Sequence, residues 1–398
     1  MSAGDNPKTS SGYGQIWDNL LPRWIKLKPD WEFYHIGWQN RDRPHKTAEG
    51  YTMLPINKLP YGFDVVLENL LKYNPDFFIS MADCGLQGGF MEQVFEAKKR
   101  GWRGRWIAYT PFDTEVWEPR NWTTFLEGAD INLAMADNGV ELFNQQKIRN
   151  RGAIPLGVDP KIYRPLDNKE ELRKRFNLTG NFVSGFVGRN QTRKQIYQLI
   201  RGFAQFSKEK NDVKLLLHTD KQPAEQFTGW DIDAIVAKFS SIDPDLFNKV
   251  IFTKANMDVL TRQGVQQEQM NEYFNLMDVF CYASGGEGFG LPGLECQSAG
   301  VPLMMTAYST AFELTGSHGI LIPVLKDEYG RRVTIAGPNG VENAVPNDGE
   351  IASLLDNLYK DWKGQKTRLT ELSKKAREFA LSYDWDIIAP RFIKLFEE

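Results

Sequence analysis

The sequence predicts an α/β protein built from two doubly wound parallel sheets, each in its own domain. Three observations predict it. The chain has 398 residues, too many for one ordinary core and enough for two domains. Its apolar spacing switches repeatedly between the strand period and the helix period, an alternation that yields parallel strands covered on both faces. That alternation breaks once, at Ala153-Ile154-Pro155-Leu156-Gly157-Val158-Asp159-Pro160 followed by Arg164-Pro165. Two prolines and a glycine there read as a linker. The alternation then restarts, which sets the expected domains at 1–165 and 166–380.

In the first half, helical spacing covers 16–26 and a short strand covers 33–36. A helix over 64–73 stops before Pro75. Strand 77–81 ends at Asp83-Cys84-Gly85, and a helix covers 91–100. Strand 106–109 ends at Thr110-Pro111-Phe112-Asp113. Strand 131–136 is followed by a helix over 140–149. In the second half, strands are expected over 182–187, 213–217, 250–253, 279–283, 303–305 and 319–322. Helices fall between them, over 195–208, 270–276 and 292–300, with a helical or irregular stretch over 231–239. Residues 324–347 mix glycine, proline and charge and read as a surface hairpin or loop insertion. Helices over 348–362, 369–383 and 385–396 close the chain.

Composition excludes several classes. Net charge is −3, so no global basic field advertises nucleic acid. Cys84, Cys281 and Cys296 form no C-x-x-C and read as small buried hydrophobes in a reducing compartment. The four histidines show no ligand spacing, which argues against zinc. No long uncharged apolar run and no leader segment is seen. The expected location is the cytoplasm.

The stretch from Ser284 to Pro302, S-G-G-E-G-F-G-L-P-G-L-E-C-Q-S-A-G-V-P, is the strongest local signal. A buried strand runs into a glycine-dense loop. Pro292 suits the first turn of the next helix, and Gly300 suits its end. Such a loop aims backbone N–H groups at whatever lies over the helix start, which makes an anion site. Glu287 and Glu295 flank it. Two carboxylates would repel a bare phosphate but suit a ligand with hydroxyls beside its phosphates, such as a nucleotide sugar. A glycine turn serving only packing is the plain alternative. Gly288-x-Gly290-x-x-Gly293 with Glu313 further on also spells a dinucleotide fingerprint, which would imply an NAD-dependent oxidoreductase. It sits late in the chain, however, and Pro292 and Glu287 fit it poorly.

A second signal follows strand 182–187: Gly188-Arg189-Asn190-Gln191-Thr192-Arg193-Lys194. Arg189 and Lys194 stand at the carboxyl end of a parallel strand, where open α/β sheets bind ligands. Arginine forks onto two phosphate oxygens and lysine adds a point charge. A third signal, Ser10-Ser11-Gly12-Tyr13-Gly14, opens the first long helix and reads equally as an anion cradle or as a capped lead. A fourth, Lys98-Lys99-Arg100-Gly-Trp102-Arg103-Gly-Arg105-Trp106, packs cations with tryptophans. It reads as a lipid or nucleic-acid surface, or as a basic helix end complementing its dipole.

Together these residues resemble the retaining, nucleotide-sugar-dependent glycosyltransferases of the GT-B fold, of the type called family four. Glu287-Gly-Phe-Gly-Leu-Pro-Gly-Leu-Glu295 is similar to that family's E-x7-E motif. Gly188-Arg189 with Lys194 is similar to its G-R-x4-K motif. Ile154-Pro-Leu-Gly-Val-Asp159, then Tyr163 and Pro165, resembles its interdomain segment, and Gly12-Tyr13-Gly14 its N-terminal glycine loop. Trp385 and the last helix resemble the segment, here 381–398, that returns to the first domain.

The resemblance implies two Rossmann-like domains facing a central cleft, with the donor on the second domain and the acceptor on the first. It implies that Arg189 and Lys194 bind the diphosphate and stabilise the leaving group. Glu287 would accept hydroxyls of the donor sugar, and Glu295 would bind the nucleotide ribose. Gly188, Gly288, Phe289, Gly290 and Leu291, with Gly12 and Gly14, would line the donor site. Neither metal nor cofactor is implied beyond the nucleoside-diphosphate sugar. The acceptor stays open between a glycan, a lipid-linked glycan and a nucleic acid, and peripheral contact with the inner membrane face stays open with it. A non-catalytic nucleotide- or carbohydrate-binding protein on the same fold is a further alternative, against which the intact Arg189, Lys194, Glu287 and Glu295 argue. Two departures from the family stand out. Residues 1–11 are too polar to form the family's first strand, so the first sheet is expected to lack it or the chain to start short. No histidine lies where many members place one against the donor sugar, which leaves that position to Asp113 or Asp83.

Overall fold

The computed structural model describes residues 1–7, 9, 11–117, 122–223, 228–253, 265–337 and 341–398. Ser10 of the N-terminal signal and residues 338–340 of the expected loop insertion lie outside the described residues. The chain divides into two compact units, 1–157 together with 383–398, and 158–382. The first division falls earlier than the expected 165/166 because residues 158–166 are bonded into the second unit. The Arg164 and Leu166 N–H groups donate to the side-chain oxygens of Asn271 and Asn275 at 3.0 and 2.9 Å.

The first unit holds a seven-stranded sheet. Its strands are β1 (Ser2–Gly4), β2 (Tyr34–Gly37), β3 (His45–Lys46), β4 (Thr52–Leu54), β5 (Phe77–Met81), β6 (Arg105–Thr110) and β7 (Ile131–Ala134). The spatial order is β3-β4-β2-β1-β5-β6-β7. All pairs are parallel except β3 with β4.

Strand β1 corrects the expectation drawn from the polar N-terminus. Ser2–Gly4 is a central strand, paired with β2 on one side and β5 on the other. Its polar groups are satisfied internally. Ser2 Oγ hydrogen-bonds His35 Nδ1 at 2.9 Å, and His35 Nε2 donates to the Asp5 carbonyl at 3.0 Å. Burial holds His35 neutral, its pKa lowered to about 4. Gly4 leaves the space that the Trp17 indole fills, so a side chain there would collide with it. Apolarity is a poor guide to a strand whose polar groups find partners inside the core.

Helix Gly12–Leu27 packs its Trp24 against the terminal helix Trp385–Glu397. The Trp24 indole donates to the Ala389 carbonyl at 3.3 Å and lies 5.3 Å from the Phe392 and Phe396 rings. The Trp385 ring occupies the space a Cβ would take at Gly157. The terminal helix is thereby part of the first unit's core.

The second unit holds a six-stranded parallel sheet. Its strands are β8 (Phe182–Val187), β9 (Val213–His218), β10 (Val250–Phe252), β11 (Val279–Tyr282), β12 (Leu303–Thr306) and β13 (Ile320–Ile322). Their order is β10-β9-β8-β11-β12-β13. Strands β8 and β11 are near-continuous apolar runs and fully buried, as expected for strands covered on both faces. The expected surface insertion is an arm whose strands β14 (Thr334–Ala336) and β15 (Glu342–Ala344) pair antiparallel. Among the described residues no helix is long and apolar enough to cross a membrane. Cys84, Cys281 and Cys296 are unpaired and buried.

Candidate functional site

The second sheet reverses its winding between β8 and β11. The chain steps outward from β8 to β9 and β10, then returns to β11 and steps outward the other way. Loops leaving two such neighbours diverge at their carboxyl ends and open a crevice there. The basic turn 188–194 leaves β8, and the glycine loop 284–290 leaves β11. Sheet topology thus brings the two sequence signals, almost a hundred residues apart, to one place.

The basic turn is clamped from below. The Asn190 amide donates to the carbonyls of Asp220 and Trp230 at 3.0 and 2.7 Å and accepts the Trp230 N–H at 2.9 Å. Residues Thr192–Lys194 form one 3-10 turn, and Gln195, at φ 53°, starts the helix Ile196–Ser207. Gly188 donates its N–H to the His218 carbonyl at 3.1 Å. Arg189 is half-buried and electrostatically coupled to Asp220. Burial raises the Asp220 carboxyl, and Arg189 acts against that rise.

The glycine loop is laced to the basic turn. The Gly285 N–H donates to the Arg193 carbonyl at 2.7 Å, and the Arg193 guanidinium donates to the Gly286 carbonyl at 2.8 Å. Lys194 Nζ forms an ion pair with Glu287 Oε1, and both side chains are 7% exposed. The same ammonium donates to the Tyr282 hydroxyl at 2.8 Å, and Arg193 Nη1 lies 3.1 Å from Glu287 Oε1. Ser309 Oγ accepts the Glu287 N–H at 3.1 Å. Thr310 Oγ1 donates to the Phe289 carbonyl at 2.9 Å. From Glu287, residues Gly288, Phe289 and Gly290 lead into helix Leu291–Ser298. Gly290, at φ 100°, makes the left-handed entry.

The two glutamates sit in opposite electrostatic states. Burial pushes the Glu287 carboxyl up, but the Arg193 and Lys194 charges and hydrogen bonds from Lys194 and Ser284 together hold it down to about 2. Burial raises Glu295 to about 7, opposed only by the Tyr163 hydroxyl. Desolvation is common to both; the nearby cations are not. Tyr163 is itself fixed. Its carbonyl accepts from Ser298 Oγ and from Arg377 Nη1, both at 2.7 Å.

The remaining predicted residues, Gly12, Gly14 and Asp113, belong to the first unit. That sheet also reverses its winding, between β1 and β5. Ser11 caps the first helix by accepting the Gly14 N–H at 3.0 Å and donates to the Asp5 carboxylate. Gly14 has no room for a side chain, because Thr9 and the Asn6 carbonyl fill the space. The Tyr13 hydroxyl donates to Asp83 Oδ1 at 2.5 Å. Burial pushes the Tyr13 phenol well up, and Asp83, Asp113 and Asp5 push it further. Asp113 and Asp83 therefore share one neighbourhood at the carboxyl edge of the first sheet.

Sequence reasoning assigned no role to Arg193, Tyr282, Ser309 or the β14–β15 arm. Arg193 stood beside Lys194 in the same basic turn and was legible there. The arm was not. It reaches the glycine loop by a bond from the Ala344 N–H to the Gly285 carbonyl at 2.8 Å. The basic run of the first unit resolves differently. Trp102 and Trp106 are core residues, 1% and 0% exposed, and offer no open stacking face. Lys98 pairs with Asp130, and Arg100 with Glu96.

Residues 181–333 match the model of the glycosyl transferases group 1, a span that contains the basic turn, the glycine loop and both glutamates. Among solved structures, sucrose-phosphate synthase from Thermosynechococcus elongatus superposes with a TM-score of 0.70 at 17% identity, over 99% of this chain and 95% of that one. Anabaena HepE in complex with UDP-glucose gives 0.70 at 15% identity, over 100% and 98%. The fold is GT-B. Curated relatives of this GT-B chain include the capsular polysaccharide biosynthesis glycosyltransferase CapM of Staphylococcus aureus. It is 28% identical over 219 residues, covering 50% of this chain and 52% of CapM. Mannosylfructose-phosphate synthase of Agrobacterium fabrum is 24% identical over 246 residues, covering 61% and 47%. The GT-B chain matches about half the length of these curated relatives.

Proposed function

We propose that the chain is a retaining glycosyltransferase. It would move a sugar from a nucleoside-diphosphate sugar to a hydroxyl acceptor, with neither metal nor cofactor beyond the donor. The observation that carries this reading is the buried Lys194–Glu287 pair, joined by the half-buried Arg193, at the point where the second sheet reverses. It combines cations suited to phosphate with a carboxylate suited to hydroxyls. The family-model match over 181–333 and a neighbour solved with UDP-glucose support a nucleotide-sugar donor.

In this reading the bond from the anomeric carbon to the diphosphate breaks. The acceptor oxygen bonds to the same face of that carbon, and the acceptor proton passes to the departing diphosphate. Negative charge grows on the leaving oxygen, so a cation fixed there binds the transition state better than the ground state. Arg189 and Lys194 fill that role. Glu287 stays ionised and accepts sugar hydroxyls while holding Lys194 in place. Glu295 accepts from the ribose. The group moved is a hexosyl or pentosyl unit. A thermal-shift panel of nucleoside diphosphates and their sugars identifies the donor. A ligand at a hundred times its dissociation constant stabilises by about 2.7 kcal/mol. NMR of the product then reads the anomeric configuration. Inversion, or a panel in which no nucleotide stabilises the protein, overturns the reading.

A further inference from the structure

A second pocket lies in the first unit, at the amino ends of β6 and β7. That is the edge opposite Tyr13, Asp83 and Asp113. It has a volume of about 510 Å³, and its walls include Arg105, Asp130, Asn132, Arg149 and Arg151. That volume falls in the range of small-molecule sites, roughly 300–1,000 Å³. Three segments build it, one ending the basic run at Arg105, one carrying Asp130-Ile131-Asn132 and one carrying Arg149-Asn150-Arg151.

The charges of the wall do not cancel. Its one carboxylate, Asp130, is already engaged. Lys98 Nζ donates to both its oxygens, at 2.6 and 2.5 Å, and Oδ2 also accepts the Trp106 N–H at 2.7 Å. Arg149 is positioned by donating from Nη2 to the Asp130 carbonyl at 2.9 Å. Arg151 is 56% exposed, and the one acid paired with it among the described residues is Glu398, at 3.9 Å. The Arg105 guanidinium lies over the Phe77 ring, 4.7 Å from its centroid. Stacking fixes its plane while leaving its N–H edge directed in that plane. Among the described residues no carboxylate pairs with Arg105 in an ion pair. Three guanidinium groups round one pocket, with the nearby acid neutralised, match a dianion with several terminal oxygens better than a single carboxylate.

The geometry points to a phosphomonoester-binding site formed by Arg105, Arg149 and Arg151, separate from the nucleotide-sugar site of the second unit. The pocket exceeds a bare phosphate in size, so it takes the organic part of the ligand as well. A soluble sugar phosphate and the headgroup of a phosphomonoester lipid share this chemistry.

Isothermal titration of the full chain tests it, with three probes: inorganic phosphate, glucose 6-phosphate, and phosphatidylcholine vesicles with or without phosphatidic acid. Binding of glucose 6-phosphate assigns a soluble ligand. Binding to phosphatidic acid vesicles alone assigns a headgroup. Either supports the site if the double variant Arg105→Gln, Arg151→Gln weakens binding by about tenfold or more while Lys194→Ala leaves it unchanged. Arg149 is spared because it also holds the Asp130 backbone. Should the double variant fail to fold, the single Arg151→Gln change at the exposed position carries the test. The proposal falls if no probe binds, if binding is the same in arginine variants with wild-type unfolding midpoints, or if Lys194→Ala, shown by its own unfolding transition to be folded under the titration conditions, is the change that removes it.

Discussion

The Lys194 ammonium and the Glu287 carboxylate form a buried ion pair, each side chain 7% exposed, between loops that leave adjacent strands. Two motifs separated by almost a hundred residues thus share one electrostatic unit. Arg193 joins it at 3.1 Å. Replacing either partner leaves a buried charge with an altered set of partners, so no substitution here is local to one motif.

Glu287→Ala is expected to lower stability as well as transfer. Breaking a buried pair by removing one partner costs about 3–5 kcal/mol, because the other charge is stranded. Arg193 then faces Lys194 without the intervening carboxylate. The sign with pH follows from the depressed pKa. Glu287 falls from 4.5 to about 2 on folding, so its contribution is fully present above 4.5 and is lost as pH falls toward 2. Urea unfolding of wild type and Glu287→Gln between neutral and acid pH measures it. The two curves should converge in acid; a constant gap sinks the assignment.

Glu295 is expected to make nucleotide binding pH-dependent. Its pKa rises from 4.5 to about 7 on folding, so below 7 it is protonated and a poorer acceptor for ribose hydroxyls. Folding stability associated with this group declines as pH rises from 4.5 to 7, because the folded state then holds the extra proton. Affinity for a nucleoside diphosphate should rise through pH 7 in wild type and lose that component in Glu295→Gln. The nucleotide's own phosphate titrates near pH 6, so the comparison between the two proteins is the readout. Parallel profiles would remove Glu295 from the binding site.

Arg189→Ala and Lys194→Ala are each expected to lose turnover at saturating donor. Removing one donor that stabilises developing negative charge typically costs about 2.7–4 kcal/mol, roughly a hundred- to a thousandfold. Arg189→Lys should also fail, since lysine presents no planar fork. The assays run in chelator. Loss of wild-type activity in chelator, or variants that lose donor affinity yet keep full turnover, would contradict leaving-group stabilisation by these side chains.

Gly290→Ala should cost about 1–2 kcal/mol from its left-handed backbone alone, since Gly290 stands at φ 100°. The new methyl would also meet Leu314 Cδ1 at 2.9 Å. Gly285→Ala should be worse for the site, because its methyl would run into the Ala344 carbonyl of the arm and push the loop off the Arg193 carbonyl. Denaturant midpoints and nucleotide titration of both variants check this. If Gly285→Ala binds nucleotide as wild type does, the arm does not support the loop.

Most strands and helices were legible because a parallel strand covered on both faces is a short apolar run, and the helices carry a clear apolar face. Phe77–Met81 and Phe182–Val187 are found with the bounds the sequence predicted. Ser2–Gly4 was not legible, since small and polar residues form it and its partners, His35 and Trp17, are distant in sequence. The helix Cys84–Lys99 begins seven residues before its expected start at 91, because glycines 85, 88 and 89 blur the helical pattern. Gly88 and Gly89 are there to admit the rings of Phe125 and Phe63.

By itself the sequence determined the α/β class and the two-part organisation, and it singled out Arg189, Lys194, Glu287 and Glu295 as candidates. These depend on local spacing and residue chemistry. Only the tertiary structure decided what those residues do to one another. The pairing of β8 with β11 sets Lys194 and Arg193 against Glu287 and keeps that carboxylate ionised. Glu295, one helix turn further into the protein and with no cation acting on it among the described residues, is driven toward protonation by the same burial. A pKa depends on which charges share a desolvated volume, and that is fixed by strand order, which no local pattern encodes.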